Sequence, residues 1–350
     1  MATLVVLGRH TPSRALLVVL MLVLAACGKS PDLIVYVSAD EQVARPIIEA
    51  FEQESGLVVG VRYDTEATKT TALASLLRAE RERPRADVFW SSECFAVAQL
   101  AMEGSFEPLD AGVFGEWPAQ HRDAQRRWFG FSARARVLVI APDRVKPEEM
   151  PDTWMDLVRP WWKGRIVMAD PRFGTTRGHL GAMQSFFERS LRIPGYWEAF
   201  VEGLAENEPR LLTGGNAAVV EAVARGEADI GLTDTDDVLA AQARGAKVQW
   251  IMPRHDPASD PGGGTLLIPN TVALIAGAPH RSNAIWFMEY MLSPGVQARI
   301  AASESRNWPL GVEFPPDLDP LPDDPMRVDI DDAALRMDAA ASDLVKATGQ

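Results

Sequence analysis

Residues 33–37, Leu33-Ile34-Val35-Tyr36-Val37, followed by Val43, Ile47, Ala50 and Phe51 and then by Gly56, decide the fold. The first five form a short, β-branched apolar run and read as a buried strand. The next four recur at helical spacing and stop before a glycine, which reads as a helix and its end. Val58–Tyr63 is a second strand, Leu73, Leu76 and Leu77 mark a helix ending near Pro84, and Asp87–Trp90 is a third strand. Buried strands alternating with helices predict an α/β chain with a mostly parallel sheet covered on both faces. Pro46 is awkward inside the first helix because it removes a donor and crowds the preceding turn. A kink is expected there, or a loop over 38–44 with the regular helix starting later. Ser91-Ser92 is expected to cap the helix after the third strand.

The alternation continues. Strands are expected at Val137–Ala141, Ile166–Ala169, Ile230–Leu232, Val248–Met252 and Leu266–Ile275. Helices are expected at Thr153–Val158, from Thr175 or Thr176, from Gly214-Gly215-Asn216 to Gly226, at Asp234–Arg244, at 280–292 and at 294–303, with a weak one at 332–346. Residues 313–325 are rich in Pro and Asp and read as extended.

The N-terminal segment reads as an address. Arg9, His10 and Arg14 precede the apolar run that ends in Leu24-Ala25-Ala26-Cys27. That order is a secretory signal peptide, and the run is short of the roughly 20 residues that span a bilayer. Cys27 directly after Leu-Ala-Ala resembles the bacterial lipoprotein box, which implies cleavage after residue 26, acylation of Cys27 (palmitate among the chains) and a lipid anchor on the periplasmic or cell-surface face of a membrane. Residues 27–32 would be the linker. The remaining chain suffices for two lobes of about 150 residues. The whole sequence has 35 basic and 48 acidic residues, and so acidic a surface argues against nucleic acid. Cys94 is then the only thiol, so no intrachain disulfide is expected.

Several segments together resemble the periplasmic solute-binding proteins of ABC importers, of the ferric-iron-binding type. They are the opening strand with Ala50-Phe51-Glu52-Gln53-Glu54-Ser55-Gly56, then Asp87-Val88-Phe89-Trp90-Ser91-Ser92, and Thr153-Trp154-Met155-Asp156-Leu157 through Ala169-Asp170-Pro171. Asn270-Thr271-Val272-Ala273-Leu274-Ile275, Phe287 to Pro294 and Trp308-Pro309-Leu310 complete the likeness, which covers about 33–312. It implies a two-lobed type II periplasmic-binding-protein fold, each lobe a mixed, mostly parallel sheet flanked by helices, with a ligand cleft between them. The expected lobes are 33–133 plus 266–305, and 134–265 plus 306–350. Partners implied are the permease and ATPase subunits of an importer, with the chain itself a monomer.

Ligands of open α/β sheets sit beyond the carboxyl ends of strands, where helix N-termini aim N–H groups inward. Four loops are so placed: Ser38–Asp40, Ser91–Glu93, Gly174–Thr176 and Gly214–Asn216. They nominate Ser38, Asp40, Ser91, Ser92, Thr175, Thr176 and Asn216 as ligand-binding residues, with Thr233 nearby; simple helix capping uses the same residue types.

The sequence departs from the family at one place. Ferric-binding relatives carry an adjacent tyrosine pair after the strand that follows the Gly-Asn helix. Here the segment reads Gly231-Leu232-Thr233-Asp234-Thr235-Asp236-Asp237, and none of the four tyrosines are adjacent. Carboxylates remain hard oxygen donors, so Asp234, Asp236 and Asp237 are candidate metal ligands. Alternatively Asp234 caps a helix and the other two favour its positive end. Arg134 and Arg136 lie on one face of a strand at the expected crossing between lobes. They could clamp a carboxylate or phosphate, pair with the aspartates, or bridge the lobes. Arg177 and His179 are similar candidates, Trp161-Trp162 is expected to pack a lobe edge, and Cys94 to be buried rather than nucleophilic.

No Gly-x-Ser-x-Gly, His-Glu-x-x-His or Ser-x-x-Lys is present, so an enzyme is not expected, and no cofactor beyond a metal ion carried as cargo. The leading expectation is a lipoprotein that captures a small polar ligand by hinge closure: a ferric or other metal ion, with or without an anion. The alternative is a receptor for an organic anion such as a phosphonate or sugar phosphate, serving import or sensing, and behind it an exported Asp-based metal hydrolase.

Overall fold

The computed structural model describes residues 30–64, 70–115, 117–258, 260–311, 318 and 320–350. The signal segment, Cys27 and residues 313–317 and 319 of the Pro/Asp stretch therefore lie outside the described residues. Strand β1 (Leu33–Ser38) leads into helix α1 (Glu41–Ser55), β2 (Val59–Tyr63), α2 (Thr71–Ala79), β3 (Val88–Ser91) and α3 (Phe95–Met102). The twelve-residue β4 (Phe129–Ile140) follows, then β5 (Ile166–Ala169), α4 (Gly174–Phe186), α5 (Tyr196–Glu206), β6 (Arg210–Leu212), α6 (Gly215–Ala224), β7 (Ile230–Asp234), α7 (Thr235–Ala243) and β8 (Gln249–Ile251). The chain closes through β9 (Leu267–Leu274), α8 (Arg281–Leu292), α9 (Pro294–Ala302), β10 (Trp308–Pro309) and α10 (Ile330–Thr348).

Two mixed sheets result. In the first, β2, β1 and β3 are parallel, and β9 joins β3 antiparallel. In the second, β7, β5 and β6 are parallel. Strand β4 belongs to both. Its residues 129–135 pair with β9, and residues 136–140 pair with β7 and β8, all antiparallel. Every residue of β4 is buried, as expected of a strand covered on both faces, and this includes two arginines, Arg134 and Arg136, set among its apolar and small side chains.

Helix α1 runs without interruption through Pro46, so neither the expected loop over 38–44 nor a later start is found. Proline removes a single intrahelical bond, and burial of Ala44, Ile47, Ile48 and Phe51 on one face outweighs it. The Thr153–Val158 segment is a short 3-10 turn, Trp154–Val158, rather than an α-helix. Helix α5 and strand β6 were not anticipated. The weak C-terminal helix extends over nineteen residues, with Asp329 accepting from the Asp332 N–H at 3.0 Å and Gly349 closing it in the left-handed region at φ 68°.

Helix α10 packs mainly on α4 and also reaches α5 and α3. Two glycines of α4 permit this. A Cβ at Gly181 would lie 2.4 Å from the Ala333 carbonyl oxygen of α10, and one at Gly178 would lie 2.2 Å from the Phe95 ring of α3. The three helices thus interlock, and Phe95 joins a core otherwise built around the second sheet.

Candidate functional site

The site grows from the middle of β4. Successive residues of a strand face opposite ways, so Arg134 and Arg136 share a face, and both meet the carboxylate that ends β7. Arg134 Nε donates to Asp234 Oδ2 at 2.9 Å, and Arg136 Nη1 donates to Asp234 Oδ1 at 2.9 Å. Asp234 Oδ2 also accepts from Thr175 Oγ1 at 2.7 Å and from the Asn216 amide at 2.8 Å. Arg136 is fully buried and spends its other donors on Thr176 Oγ1 at 3.0 Å and Asn216 Oδ1 at 3.2 Å. Burial alone would raise the Asp234 pKa, but the two guanidiniums outweigh it and hold the carboxyl below its usual range.

Behind Arg136 lie two buried histidines that sequence spacing could not join. Arg136 Nε donates to His179 Nδ1 at 3.3 Å, the His179 and His255 Nε2 atoms are 3.0 Å apart, and His255 Nδ1 is 2.7 Å from the Gly264 carbonyl oxygen. A carbonyl only accepts, so His255 carries its proton on Nδ1 and accepts at Nε2. His179 must then donate from Nε2 and accept from Arg136, which assigns one tautomer to each ring. Burial, then Arg136, keeps His179 well below its ordinary pKa, and burial brings His255 down to about 4.

A folded-state pKa below that of the unfolded chain, about 6.5 for histidine, means that the unfolded state takes up protons the fold refuses. The pair's contribution to stability is therefore complete above about pH 6.5 and is lost as pH falls toward 4. Changing His255→Gln is expected to flatten the dependence of unfolding free energy on pH between 6.5 and 4 by about 1.4 kcal/mol per pH unit, the equivalent of one proton. Urea titrations across that range check it; an unchanged slope would mean that His255 titrates inside the fold.

The cleft in front of Arg134 is lined by Asp40, Ser92, Thr175, Thr176, Asn216, Asp234, Asp236 and Asp237, together with Thr70, Glu93, Asp170, Phe173 and Thr213. Apart from Thr70, which directly precedes α2, these residues follow the carboxyl ends of β1, β3, β5, β6 and β7. Ser38 lines only the broader mouth of the cleft. Ser91 and Thr233, nominated from sequence, are not part of the lining. Both are buried: the Ser91 hydroxyl accepts from the Glu93 N–H at 3.3 Å, and the Thr233 hydroxyl donates to the Asn216 carbonyl at 3.4 Å. Arg177 turns outward to Asp338 of α10, with its Nε at 2.7 Å.

Nor do Ser91-Ser92 cap α3. The Glu93 carboxylate accepts from the N–H groups of Phe95 at 2.6 Å and Ala96 at 3.1 Å, so this helix N-terminus is already occupied. Burial raises the Cys94 thiol well above its ordinary pKa, as befits an inert core residue. Trp162 is fully buried while Trp161 is largely exposed.

Asp236 and Asp237 stand in the first turn of α7. Oxygen atoms of Asp234, Asp236 and Asp237 lie within 4.8 Å of one another, so the three carboxylates expected as metal ligands converge. Their roles separate, because Asp234 is engaged through both oxygens by arginines. Among the described residues, six carboxylates (Asp40, Glu93, Asp170, Asp234, Asp236 and Asp237) line the cleft against one cationic side chain, Arg134. Glu93 caps a helix, and Asp170 pairs with Arg172 Nε at 2.8 Å. Carboxylates thus outnumber cationic side chains in this lining, and Arg134 Nε also lies 3.5 Å from Asp236 Oδ2. Asp170 begins the loop after the parallel strand β5, where ligands of such sheets bind, so strand position alone could have nominated it.

A family model described as bacterial extracellular solute-binding protein matches residues 33–303. The chain is 26% identical over 302 residues to iron uptake protein A1 of a Synechocystis strain, covering 79% of each chain. It is 25% identical over 280 residues to the major ferric iron-binding protein of Neisseria meningitidis, covering 79% of this chain and 81% of that one. The crystal structure of iron-bound HitA from Pseudomonas aeruginosa superposes with a TM-score of 0.75 at 24% identity, over 89% of this chain and 98% of that one.

Proposed function

The chain belongs to the bacterial extracellular solute-binding proteins, a binding protein and not an enzyme, and on that premise we propose that it captures a hard metal cation, ferric ion foremost, for an ABC importer. The observation that carries this reading is the pair Asp236 and Asp237 at the edge of a cleft with surplus carboxylates. Hard cations take oxygen donors, and the surplus negative charge favours a cation over a bare anion. Asp234, held by Arg134 and Arg136, anchors the pair from behind. A small anion accompanying the metal would find Thr175, Thr176 and the N-termini of α4 and α6 beside it. The cleft draws Asp40 and Ser92 from one lobe and Thr175, Asn216 and Asp236 from the other, so ligand touching both walls favours the closed arrangement by its differential affinity for it.

Thermal denaturation of the protein against ferric nitrilotriacetate, divalent cations, phosphate, phosphonates and sugar phosphates tests this. The ferric complex is expected to stabilise the fold by about 2.7 kcal/mol at a hundredfold excess over its dissociation constant. Stabilisation by the phosphate compounds alone would replace the metal with an organic anion, and a flat response to all would remove both ligand classes.

The same proposal places the protein at a membrane surface through acyl chains on Cys27. Changing Cys27→Ser is expected to move it from the membrane pellet to the soluble fraction with ligand affinity unchanged. Continued sedimentation with membranes would remove the anchor.

A further inference from the structure

The chain enters the first sheet at the end remote from the cleft, and its entry is pinned by three hydrogen bonds. The Asp32 N–H donates to the Val58 carbonyl at 2.8 Å, and Asp32 Oδ2 accepts from the Val58 N–H at 2.9 Å. The Asp32 carbonyl accepts from the Asn283 amide of α8 at 2.7 Å. Asn283 and Trp286 stand three residues apart on α8 and so share a face. Trp286 packs edge-on against Phe51 of α1 at 5.6 Å between ring centroids. Val58 and Trp286 therefore flank the point where the chain joins the fold.

Among the described residues, the exposed large hydrophobic side chains are Val58, Trp161, Ile193, Trp286 and Leu335. Trp161, Ile193 and Leu335 belong to segments around the second sheet. Those on the side of the first sheet are Val58, 39% exposed, and Trp286, 46% exposed, and both stand at the chain's entry. A single exposed apolar residue is ordinary; two placed where a tether leaves the body suit the surface to which the tether leads. Cys27 lies five positions before Asp32, and a chain spans at most about 3.6 Å per residue, so an acylated Cys27 keeps this end within about 18 Å of the bilayer. Tryptophan suits the membrane–water boundary, with an apolar ring and an N–H that stays wet. The carboxylates of Asp32 and Glu52, bound to the Val58 and Val59 N–H groups, stand beside it and favour a zwitterionic over an anionic bilayer.

From this juxtaposition, and resting on the lipid-anchor reading above, we infer that the surface around Val58 and Trp286 lies against the phospholipid bilayer, with Trp286 seated among the headgroups. The acyl chains alone would let the body swivel on its linker. A second contact beside them fixes which end faces the membrane. Strand β1 runs from this end to Ser38 at the mouth of the cleft, a rise of about 17 Å, so the cleft stays clear of the lipid while the contact is made.

Tryptophan fluorescence of the full lipidated chain in phosphatidylcholine vesicles tests it, with bromine carried on the lipid chains near the headgroups, since bromine quenches only indoles within its close reach. Quenching is expected in the unchanged protein. Most of it should be lost in Trp286→Phe, which keeps an aromatic ring against Phe51, and none in Trp161→Phe, whose ring is comparably exposed beside the second sheet. It should also survive about 1 M salt, which screens charge but not an apolar contact. Quenching undiminished by Trp286→Phe, lost in salt, or absent from vesicle-bound protein would overturn the contact. Should the unchanged protein fail to float with the vesicles at all, the anchor falls, and this contact with it.

Discussion

Replacing Asp236 and Asp237 together by alanine is expected to abolish ferric binding while leaving the protein folded. Both side chains sit half-buried in the first turn of α7, where a carboxylate is worth about 0.3–1 kcal/mol through the helix dipole. That is a small fraction of a domain's stability. Their loss removes the two oxygen donors not anchored to both arginines, and no adjacent tyrosines exist to substitute for them. Arg134 Nε, 3.5 Å from Asp236 Oδ2, would then face the cleft with less opposing charge, so affinity for phosphate should hold or rise. Ten tryptophans provide the intrinsic fluorescence for both titrations, and thermal denaturation reports the fold. Unchanged ferric affinity would reduce the pair to charges that favour a helix end.

The second large effect concerns stability. Changing Asp234→Ala leaves two almost fully buried guanidiniums, Arg134 and Arg136, without the carboxylate they share. Breaking a buried pair by removing one partner costs about 3–5 kcal/mol, because the remaining charge is stranded away from water. Here the deletion strands Arg136 and leaves Arg134 with Asp236, 3.5 Å away. The folded pKa of Asp234 lies below its ordinary value, so the stabilisation is complete above about pH 3.9, the value in an unfolded chain, and disappears as pH falls through the lower folded value. The difference between variant and unchanged protein should therefore be full at neutral pH and shrink in strong acid. Urea denaturation at neutral pH measures it, and a loss below about 1 kcal/mol would mean that the arginines find other partners.

Both effects trace to residues that were legible in the sequence, because period-two alternation places Arg134 beside Arg136 and strand ends bring Asp234, Thr175 and Asn216 together. The strands of the first sheet were legible for the same local reason. What could not be read was set by distance along the chain or by competition for one donor. His179 and His255 are 76 residues apart, and only the folded loop at Gly264 brings them together. Glu93, not the serines before it, caps the start of α3, because its longer side chain reaches forward to the N–H groups of Phe95 and Ala96 at once. Helix α5 is the exception, for Trp197, Phe200, Val201 and Leu204 stand at helical spacing and were readable.

The placing of α10 bears on the order in which this chain can fold. Its Met337, Ala340 and Leu344 complete the same core as Phe95, Trp154 and Phe200, yet they follow those residues by well over a hundred positions. Contacts so distant in sequence form late, because loop closure must precede any gain from packing. One core thus stays unsealed until residues 330–348 have emerged and found the groove that Gly178 and Gly181 leave open. A chain cut short before residue 330 would leave the Phe95, Trp154 and Phe200 side chains of that core facing water.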